Sequence, residues 1–407
     1  MTHVAMLSMH TSPLDQPGVG DGGGMNVYVH ELASALAQAG VRTTVYSRAS
    51  ATRLPGRKQI EPLYEVVHVA AGRRDLTKDE LVDVIDEFAD AVGADLARSG
   101  ATDVVLHANY WLSGAAAHIL KHRLGVPLVT TFHTLARVKS ARGDTESAHR
   151  ERVEAEIIGC SDLMCASNQA EVEDLVGWYG ADRRRIEIIP PGVHHAFFSP
   201  GDRGAARSAV RIHDVTTLLF VGRIQPLKGL DLAVESLALL HDTDTQLVVV
   251  GGPSGAEGAH EYSRIRRRVD QLGLNARVHF VPPQPHHLLS TYYRAADITL
   301  VPSRSESFGL VALESMACGT PVVAARVGGL AELVGDRGGV LVDGRDPHMW
   351  ASVIDSLAHD LALRTRLSAS AAQRGREFSW SAAAGRLRRL AGDLATEREP
   401  VLCARGN

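Results

Sequence analysis

Short apolar runs rich in Val, Ile and Leu recur along the whole chain, and segments with helical patterning separate them. Typical runs are "HVAMLSM" and "DVVLHA" in the first half and "TTLLFVG" and "QLVVVGG" in the second. Strands that are apolar on both faces and alternate with helices predict parallel sheets covered by helices on both sides. We therefore predict an α/β protein.

The chain has 407 residues, which is too long for one ordinary core and favours two domains. A stretch rich in Pro and Gly, "IIPPGVHHAFFSPGDRG", separates the two sets of strands. We predict a Rossmann-like N-terminal domain over 1–195, a Rossmann-like C-terminal domain over 196–380, and a helix and tail over 381–407 that pack back toward the N-terminal domain. Ligands bind at the carboxyl ends of parallel strands, so the two domains are expected to face each other across a cleft.

Composition excludes several classes of protein. A net charge of −4 and an isoelectric point near 6.5 give no basic field for nucleic acid. No apolar run approaches the ~18 residues of a membrane span, and the N-terminus lacks the basic region of a signal peptide. The cysteines have no metal-ligand spacing and are expected to be idle thiols of a cytoplasmic protein; they are Cys160, Cys165, Cys318 and Cys403.

The segment "GVGDGGGMNVYVHEL" raises the question of a cofactor, because Gly18, Gly20 and Gly23 fit the dinucleotide pattern G-x-G-x-x-G. That pattern should follow its strand directly, whereas "HTSPLDQPG" intervenes here, and the second strand ends at Arg48 without the acidic residue that binds a ribose. Arg48 leaves an NADP site open, and an unliganded turn is a second alternative. A third is that the glycines let the backbone approach another phosphate, beside a helix predicted over 25–39.

Two cations and two glutamates follow strands in the second half. Arg223 and Lys228 lie in "VGRIQPLKG", and Glu306 and Glu314 form an E-x7-E pair in a segment whose "SFGL" predicts a helix start. Eight residues of helix rise ~12 Å, about the distance from hexose to ribose in a nucleotide sugar. The diphosphate would then lie between the carboxylates, on the cations and the helix N-terminus. Plain surface charge and a solvated helix face are the alternatives.

These motifs, with "YWLSG" and "HTLARVK", resemble the retaining glycosyltransferases of the GT-B fold (family 4 type), the group that includes sucrose-phosphate synthase. The resemblance covers essentially the whole chain. It is strongest to the D-inositol-3-phosphate glycosyltransferases of mycothiol synthesis, which transfer N-acetylglucosamine from UDP to 1D-myo-inositol 3-phosphate. It implies a GT-B fold with two Rossmann-like domains, and a nucleotide-diphosphate sugar as donor substrate. No cofactor is required, Mg²⁺ and a homodimer are left open, and the partners are small molecules rather than nucleic acid or membrane.

The resemblance also implies site residues, matched motif by motif. The donor site would comprise Gly23, Gly24, Arg223, Lys228, Gln284, Glu306, Phe308, Gly309, Leu310 and Glu314. The acceptor site would comprise His10, Asn26, Lys78, Tyr110, Thr134 and Arg150, with Lys78 and Arg150 suited to phosphate. The catalytic residues would be His133, Arg223, Lys228 and Glu306. Taken singly, several of these have another interpretation: Lys78 as a surface lysine, Arg152 in place of Arg150, and His133 as a core histidine.

The sequence departs from the inositol-phosphate family in the acceptor-binding domain. It reads "ANYWLSG" where that family reads "SHYWLSG", and "TTFHTLARVKS" where it reads "HTAHTLAAVKN". Arg137 adds charge where the family has a small residue. A related transferase of a secondary-metabolite pathway, with another sugar nucleotide or a thiol acceptor, is therefore an alternative. A nucleotide-sugar epimerase and a non-catalytic sugar-nucleotide-binding module are two others.

The family's mechanism implies front-face displacement, in which the acceptor attacks from the side that the diphosphate leaves. Arg223, Lys228 and the helix start at Phe308–Leu310 would stabilise the leaving diphosphate. His133 would hydrogen-bond the transferred sugar, and Glu306 would orient it.

Overall fold

The structure is a computed structural model that describes residues 2–20, 22–51, 53–141, 146–255 and 257–396. Its strands, in chain order, are β1 (His3–Leu7), β2 (Arg42–Arg48), β3 (Gly56–Glu61), β4 (Tyr64–Val69), β5 (Val104–Asn109), β6 (Leu128–Thr131), β7 (Leu163–Ala166), β8 (Ile186–Ile188), β9 (Thr217–Val221), β10 (Gln246–Val250), β11 (Val278–Val281), β12 (Ile298–Val301), β13 (Val322–Ala325) and β14 (Gly339–Val342). All of the predicted apolar runs form strands.

Helices separate most of these strands. They are α1 (Gly24–Gln38), α2 (Ile85–Ser99), α3 (Trp111–Leu124), α4 (Ala136–Ala141), α5 (Ala148–Cys160), α6 (Gln169–Tyr179), α7 (Arg203–Val210), α8 (Leu230–Ala238), α9 (Gly258–Gln271), α10 (Leu289–Ala295), α11 (Leu310–Ala317), α12 (Gly329–Val334), α13 (Pro347–His359), α14 (Leu361–Gly375) and α15 (Trp380–Thr396). Short 3₁₀ turns lie at Asp79–Val84, Arg183–Arg185, Pro226–Lys228 and His286–Leu288.

The chain divides into two compact units, and neither is continuous in sequence. The first contains residues up to Asp15, Met25–Pro190 and the chain from Trp380 on, whereas the second contains Gln16–Gly24 and Pro191–Ser379. The glycine-rich segment therefore belongs to the second unit. In the first unit α15 packs through Trp380, whose ring meets that of Tyr28 at 5.6 Å between centroids.

Each unit is built on one sheet with helices around it. The second unit has the strand order β11-β10-β9-β12-β13-β14, all parallel. In the first unit the order is β3-β4-β2-β1-β5-β6-β7-β8. Both sheets follow the doubly wound pattern, in which the order reverses once, between β1 and β5 and between β9 and β12. Ligands bind beyond the carboxyl ends of the strands at such a switch point, and the predicted site residues His10, Tyr110, Arg223 and Glu306 follow β1, β5, β9 and β12.

One strand departs from the prediction of purely parallel sheets. β3 pairs antiparallel with β4 at the edge of the first sheet. Its sequence, "GRKQIE", is mostly charged or polar and largely exposed, so no apolar run marks it. An antiparallel edge strand needs only one covered face, and charged residues protect such an edge from unwanted pairing.

The cysteines differ from the prediction in one respect. Cys165 and Cys318 are free and buried, as expected of idle thiols. Cys160, however, is disulfide-bonded, so the expectation of an idle thiol is wrong at that position. Cys403 and the rest of the tail "PVLCARGN" lie outside the described residues.

Candidate functional sites in the two units

Lys228 and Glu306 form an ion pair beside the switch point of the second unit. The chain leaves β9 at Val221, passes Arg223 and makes a 3₁₀ turn over Pro226–Lys228. The turn brings Nζ of Lys228 within 2.7 Å of a carboxylate oxygen of Glu306, and both side chains are about one-fifth to one-quarter exposed. The sequence assigned these residues to a diphosphate and to a sugar, and the structure brings them into direct contact.

The E-x7-E segment is arranged differently from the prediction. α11 begins at Leu310 after Gly309, whose φ of 103° ends the preceding loop. Glu306 therefore lies before the helix, so the predicted ~12 Å helical rise between the two glutamates is wrong; from Leu310 to Glu314 the helix rises only ~6 Å. Phe308 also precedes the helix, so the free N–H groups at the terminus begin with the N-cap residue Gly309 rather than with Phe308.

Glu314 is held by two neighbours that the sequence did not indicate. Nε2 of His286 lies 2.6 Å from one carboxylate oxygen, and the Tyr293 hydroxyl donates to the other at 2.9 Å. Glu314 is almost fully buried, so these partners offset the cost of burying its charge. Gln284 lies near them in sequence and donates to the Pro282 carbonyl oxygen at 2.9 Å.

The glycine segment packs on this same unit. A Cβ built on Gly23 would lie 3.2 Å from Nε of Arg223, and one on Gly24 would lie 3.4 Å from Leu310. Gln16 donates to the Pro283 carbonyl oxygen at 3.0 Å. The glycines thus let the backbone approach the arginine and the start of α11 closely. Arg48, in the first unit, is buried and donates to the carbonyl oxygens of Ala71 and Arg73, so the NADP interpretation is not supported.

Gly229 is required by the backbone that positions Lys228. Its φ is 72°, and a Cβ there would lie 2.1 Å from the Pro302 carbonyl oxygen. We expect Gly229→Ala to lower the free energy of unfolding by at least ~2 kcal/mol, since backbone strain adds to the clash. Gly273→Ala is the control, because its φ of 68° is similar but no atom lies within 4 Å. Equal urea midpoints for the two variants would contradict the prediction.

Three of the predicted acceptor residues gather around the ring of Tyr110, directly after β5: His10, Lys78 and Arg150. Nζ of Lys78 lies 4.6 Å from the ring centroid, Cζ of Arg150 lies 5.0 Å from it, and the His10 ring centroid lies 4.7 Å away. We call His10, Lys78, Tyr110 and Arg150 the Tyr110 cluster. Tyr110 has a φ of 74°, an unusual value for a residue other than glycine. Such strain often accompanies functional sites.

Arg150 is the buried cation of this cluster. It donates to Glu146 and Glu154 at 2.9 and 2.8 Å and to the Thr134 hydroxyl at 3.1 Å. Arg152, the alternative from the sequence, is exposed, so the structure brings Arg150 rather than Arg152 to Tyr110. Glu154 lies one helical turn after Arg150 in α5, a spacing that the sequence already contained, whereas Glu146 precedes the helix.

Two other sequence candidates contact groups outside the cluster. Asn26 is buried and donates to the Thr11 hydroxyl at 2.6 Å, so it supports the loop that follows β1. The Arg137 guanidinium lies 4.7 Å from the Tyr179 ring centroid and donates to the Trp178 carbonyl oxygen. Arg137 is therefore engaged with α6, and its charge is not directed at Tyr110 in this structure.

His133 lies just after β6, and its surroundings hold it firmly. Its Nε2 is 3.0 Å from Oδ1 of Asn109, and the Tyr28 ring meets it edge-on at 4.8 Å between centroids. Burial, reinforced by nearby His107, lowers the pKa of His133 to about 3. The ring is therefore neutral at physiological pH, and a neutral imidazole can donate one hydrogen bond and accept another.

One group of potential metal ligands occurs among the described residues, away from the sites above. His118, His122 and Cys160 have ligand atoms within 4.8 Å of one another. Cys160 is disulfide-bonded, whereas a metal binds the thiolate, so we assign no metal to this group.

Comparisons with known proteins extend over both units. The family model described as "Glycosyl transferases group 1" matches residues 202–374, and the one described as "Glycosyltransferase Family 4" matches residues 22–197. The D-inositol 3-phosphate glycosyltransferase of Streptosporangium roseum is 44% identical over 95% of this chain and 92% of its own length. That of Xylanimonas cellulosilytica is 44% identical over 98% of both chains.

Solved structures agree with the fold. Sucrose-phosphate synthase from Thermosynechococcus elongatus has a TM-score of 0.91 and 31% identity, over 97% of this chain and 99% of its own. The Anabaena protein HepE, solved in complex with UDP and glucose, has a TM-score of 0.77 and 18% identity, over 96% of this chain and 99% of its own. Among the described residues, none of the helices combines the length with the apolar composition that a membrane span requires. By fold and by sequence, this chain belongs to the glycosyltransferase family of the D-inositol 3-phosphate glycosyltransferases.

Proposed function

We propose that the protein transfers N-acetylglucosamine from UDP-N-acetylglucosamine to 1D-myo-inositol 3-phosphate with retention of the anomeric configuration. The observation that carries the proposal is the Tyr110 cluster. Lys78 and Arg150 contact one ring, that of Tyr110, at the carboxyl end of β5. Arg150 also donates to the Thr134 hydroxyl, which places a neutral hydrogen-bonding group beside the two cations. Cations beside neutral hydrogen-bonding groups suit a phosphorylated polyol.

The acceptor named for the relatives supports this choice, as does the position of Arg137. The sequence raised Arg137 as an extra charge that argued for another acceptor. Its contacts with Tyr179 and Trp178 turn that charge toward α6, which supports the phosphorylated acceptor. Glu146 and Glu154 neutralise Arg150 in part, so the ligand's phosphate depends most on Lys78, which is exposed.

A nucleotide-sugar donor is supported by the second unit. Arg223, Lys228 and the N-terminus of α11 follow two neighbouring strands, β9 and β12, at the same sheet edge. Cations and free backbone N–H groups stabilise the charge that develops on a departing diphosphate. The HepE complex with UDP and glucose shows such a ligand in that protein, on the same fold.

The proposed mechanism is front-face displacement. The acceptor hydroxyl attacks the anomeric carbon on the side that the diphosphate leaves, and a donor phosphate oxygen receives the hydroxyl proton. His133 is neutral and would hydrogen-bond the transferred sugar rather than act as the base. We propose no metal requirement, since Arg223 and Lys228 take that role; activity that survives EDTA would support this, and activity restored only by Mg²⁺ would contradict it.

Glu314→Gln is expected to raise the donor KM about tenfold while leaving kcat nearly unchanged, because a ribose contact is present in both the ground and the transition state. Initial rates at saturating acceptor would measure both constants. Tyr293→Phe is the matched variant: it removes one hydrogen bond to Glu314 and should give a smaller shift in the same direction. A large loss of kcat at unchanged donor KM would show that Glu314 contacts another part of the donor.

The experiment that tests the function is a thermal-shift panel of UDP- and GDP-sugars, followed by an acceptor screen with the best donor. A tight donor present at 100 to 1,000 times its Kd should stabilise the protein by ~3–4 kcal/mol. Product formed from UDP-N-acetylglucosamine and inositol 3-phosphate would support the proposal. If a donor binds but yields product only with another acceptor, that other compound takes the place of inositol 3-phosphate in the proposal. Release of nucleotide without any acceptor would favour an epimerase.

A further inference from the structure

Two polar contacts join the ends of β5 and β6, on the same face of the first sheet. Nε2 of His107 lies 2.9 Å from the Thr131 hydroxyl, and Nε2 of His133 lies 3.0 Å from Oδ1 of Asn109. Each contact links residues 24 positions apart, and the second lies two residues further along both segments than the first. The second contact therefore continues a regular pattern beyond the end of β6.

The amide of Asn109 has a defined orientation in this contact. Its Nδ2 donates to the His107 carbonyl oxygen at 3.4 Å, which leaves Oδ1 facing His133. A carbonyl oxygen only accepts hydrogen bonds, so Nε2 of His133 must carry the hydrogen. In a neutral imidazole the other nitrogen, Nδ1, is then an acceptor.

The backbone on both sides of this contact is strained. Tyr110, the residue after Asn109, has a φ of 74°, and His133 has a φ of 61°. Neither is a glycine, so the surrounding contacts must hold them in place. The Tyr110 N–H donates to the Thr131 carbonyl oxygen at 2.9 Å, and the Asn109 side chain is completely buried.

We propose that Asn109 is a positioning residue of the transfer reaction: its side-chain oxygen holds the His133 ring through Nε2 and makes Nδ1 the nitrogen that accepts a hydrogen bond. The inference rests on the proposed function, because His133 is the residue that would meet the transferred sugar. A sugar hydroxyl that reaches Nδ1 must then donate to it. The orientation of a reacting sugar depends on such fixed polarity.

Two variants of Asn109 test this role. Asn109→Leu keeps the approximate volume but removes the acceptor, and kcat should fall about 10- to 100-fold with both KM values within about twofold, as when an orienting partner is lost. Asn109→Asp keeps an acceptor for Nε2, so kcat near pH 8 should recover to within about fivefold of wild type. Its carboxylate also stabilises the protonated ring of His133 and so raises the pKa of His133. The kcat of this variant should therefore fall as the pH is lowered through that raised pKa. In the wild type, His133 should cause no such fall. Besides residue 109, His107 and Tyr28 face the ring, and both stay unchanged.

Nitrogen-15 NMR of the histidine-labelled protein reads the tautomer directly, and the spectrum of His133→Gln identifies the peaks of His133. The wild type should show the proton on Nε2, and Asn109→Leu should show a mixture or a shift to Nδ1. A wild-type proton on Nδ1, or an Asn109→Leu variant with wild-type kcat, would overturn the inference. If Asn109→Leu does not fold, the pH profile of Asn109→Asp decides, and a flat profile overturns it. The NMR measurement needs no substrate, so it tests the role of Asn109 independently of the activity. A wild-type protein that makes no product would refute the proposed function alone.

Discussion

Replacing Lys228 or Arg223 with alanine is expected to lower kcat about 100-fold or more, because each change removes about 3 kcal/mol of stabilisation from the departing diphosphate. Both cations follow β9 at the switch point of the second unit. Steady-state rates at saturating donor and acceptor would measure the loss. Near-normal turnover in both single variants would refute their assignment to the leaving group.

The ion pair between Lys228 and Glu306 calls for two controls. Arg326→Ala removes a half-exposed cation of the same unit, paired with Asp343, and should leave kcat within about twofold, as is usual for surface substitutions. The double variant Lys228→Ala/Glu306→Gln separates leaving-group stabilisation from the effect of an unpaired carboxylate. If the second substitution restores kcat, Lys228 acts mainly by neutralising Glu306.

Lys78→Ala is expected to raise the acceptor KM about 10- to 100-fold while donor binding stays intact, since a charge-assisted hydrogen bond to phosphate contributes ~1.5–3 kcal/mol. Lys78 is the exposed cation of the Tyr110 cluster, whereas Arg150 already has two carboxylate partners. Acceptor titrations at fixed donor, with calorimetry for donor binding, would measure both effects.

Lys58→Ala is the matched control for this change. Lys58 is an exposed lysine on the edge strand β3 of the same unit, and its loss should leave both substrate constants unchanged. A Lys78 variant that behaves like the Lys58 variant would show that the phosphate is bound elsewhere or that the acceptor carries none.

Most of the fold could be predicted because buried parallel strands leave an unmistakable apolar pattern. β3 could not, since an edge strand with charged residues has no such pattern. The start of α11 was misplaced for a related reason: "SFGL" suggests a helix start, but a positive φ at Gly309 delays the helix to Leu310. Local sequence does not determine that conformation.

Site residues could be proposed from the sequence where they lie in local motifs. The partners of these residues could not be predicted where the contact joins segments that are distant in sequence. Glu154 was accessible to prediction, because helical spacing places it beside Arg150, whereas Glu146 reaches Arg150 from the segment before α5. His286 meets Glu314 from another element, and Asn109 meets His133 from the neighbouring strand. Such pairs depend on sheet order and register, which a single sequence does not contain.

The discontinuity of the two units has a consequence for synthesis of the chain. The chain changes unit after Asp15, after Gly24, after Pro190 and after Ser379. On the ribosome, most of the first unit emerges early, but α15 emerges only after the whole second unit, and until then the Tyr28 side chain lacks its Trp380 neighbour. The glycine segment is synthesised early as well, and it can contact Arg223 and Pro283 only after those residues have been synthesised. Domains usually fold in order of synthesis, but here neither unit can be completed by its early residues alone. A fragment ending at Pro190 would therefore expose apolar surface that the nascent chain must protect until the last helix is made.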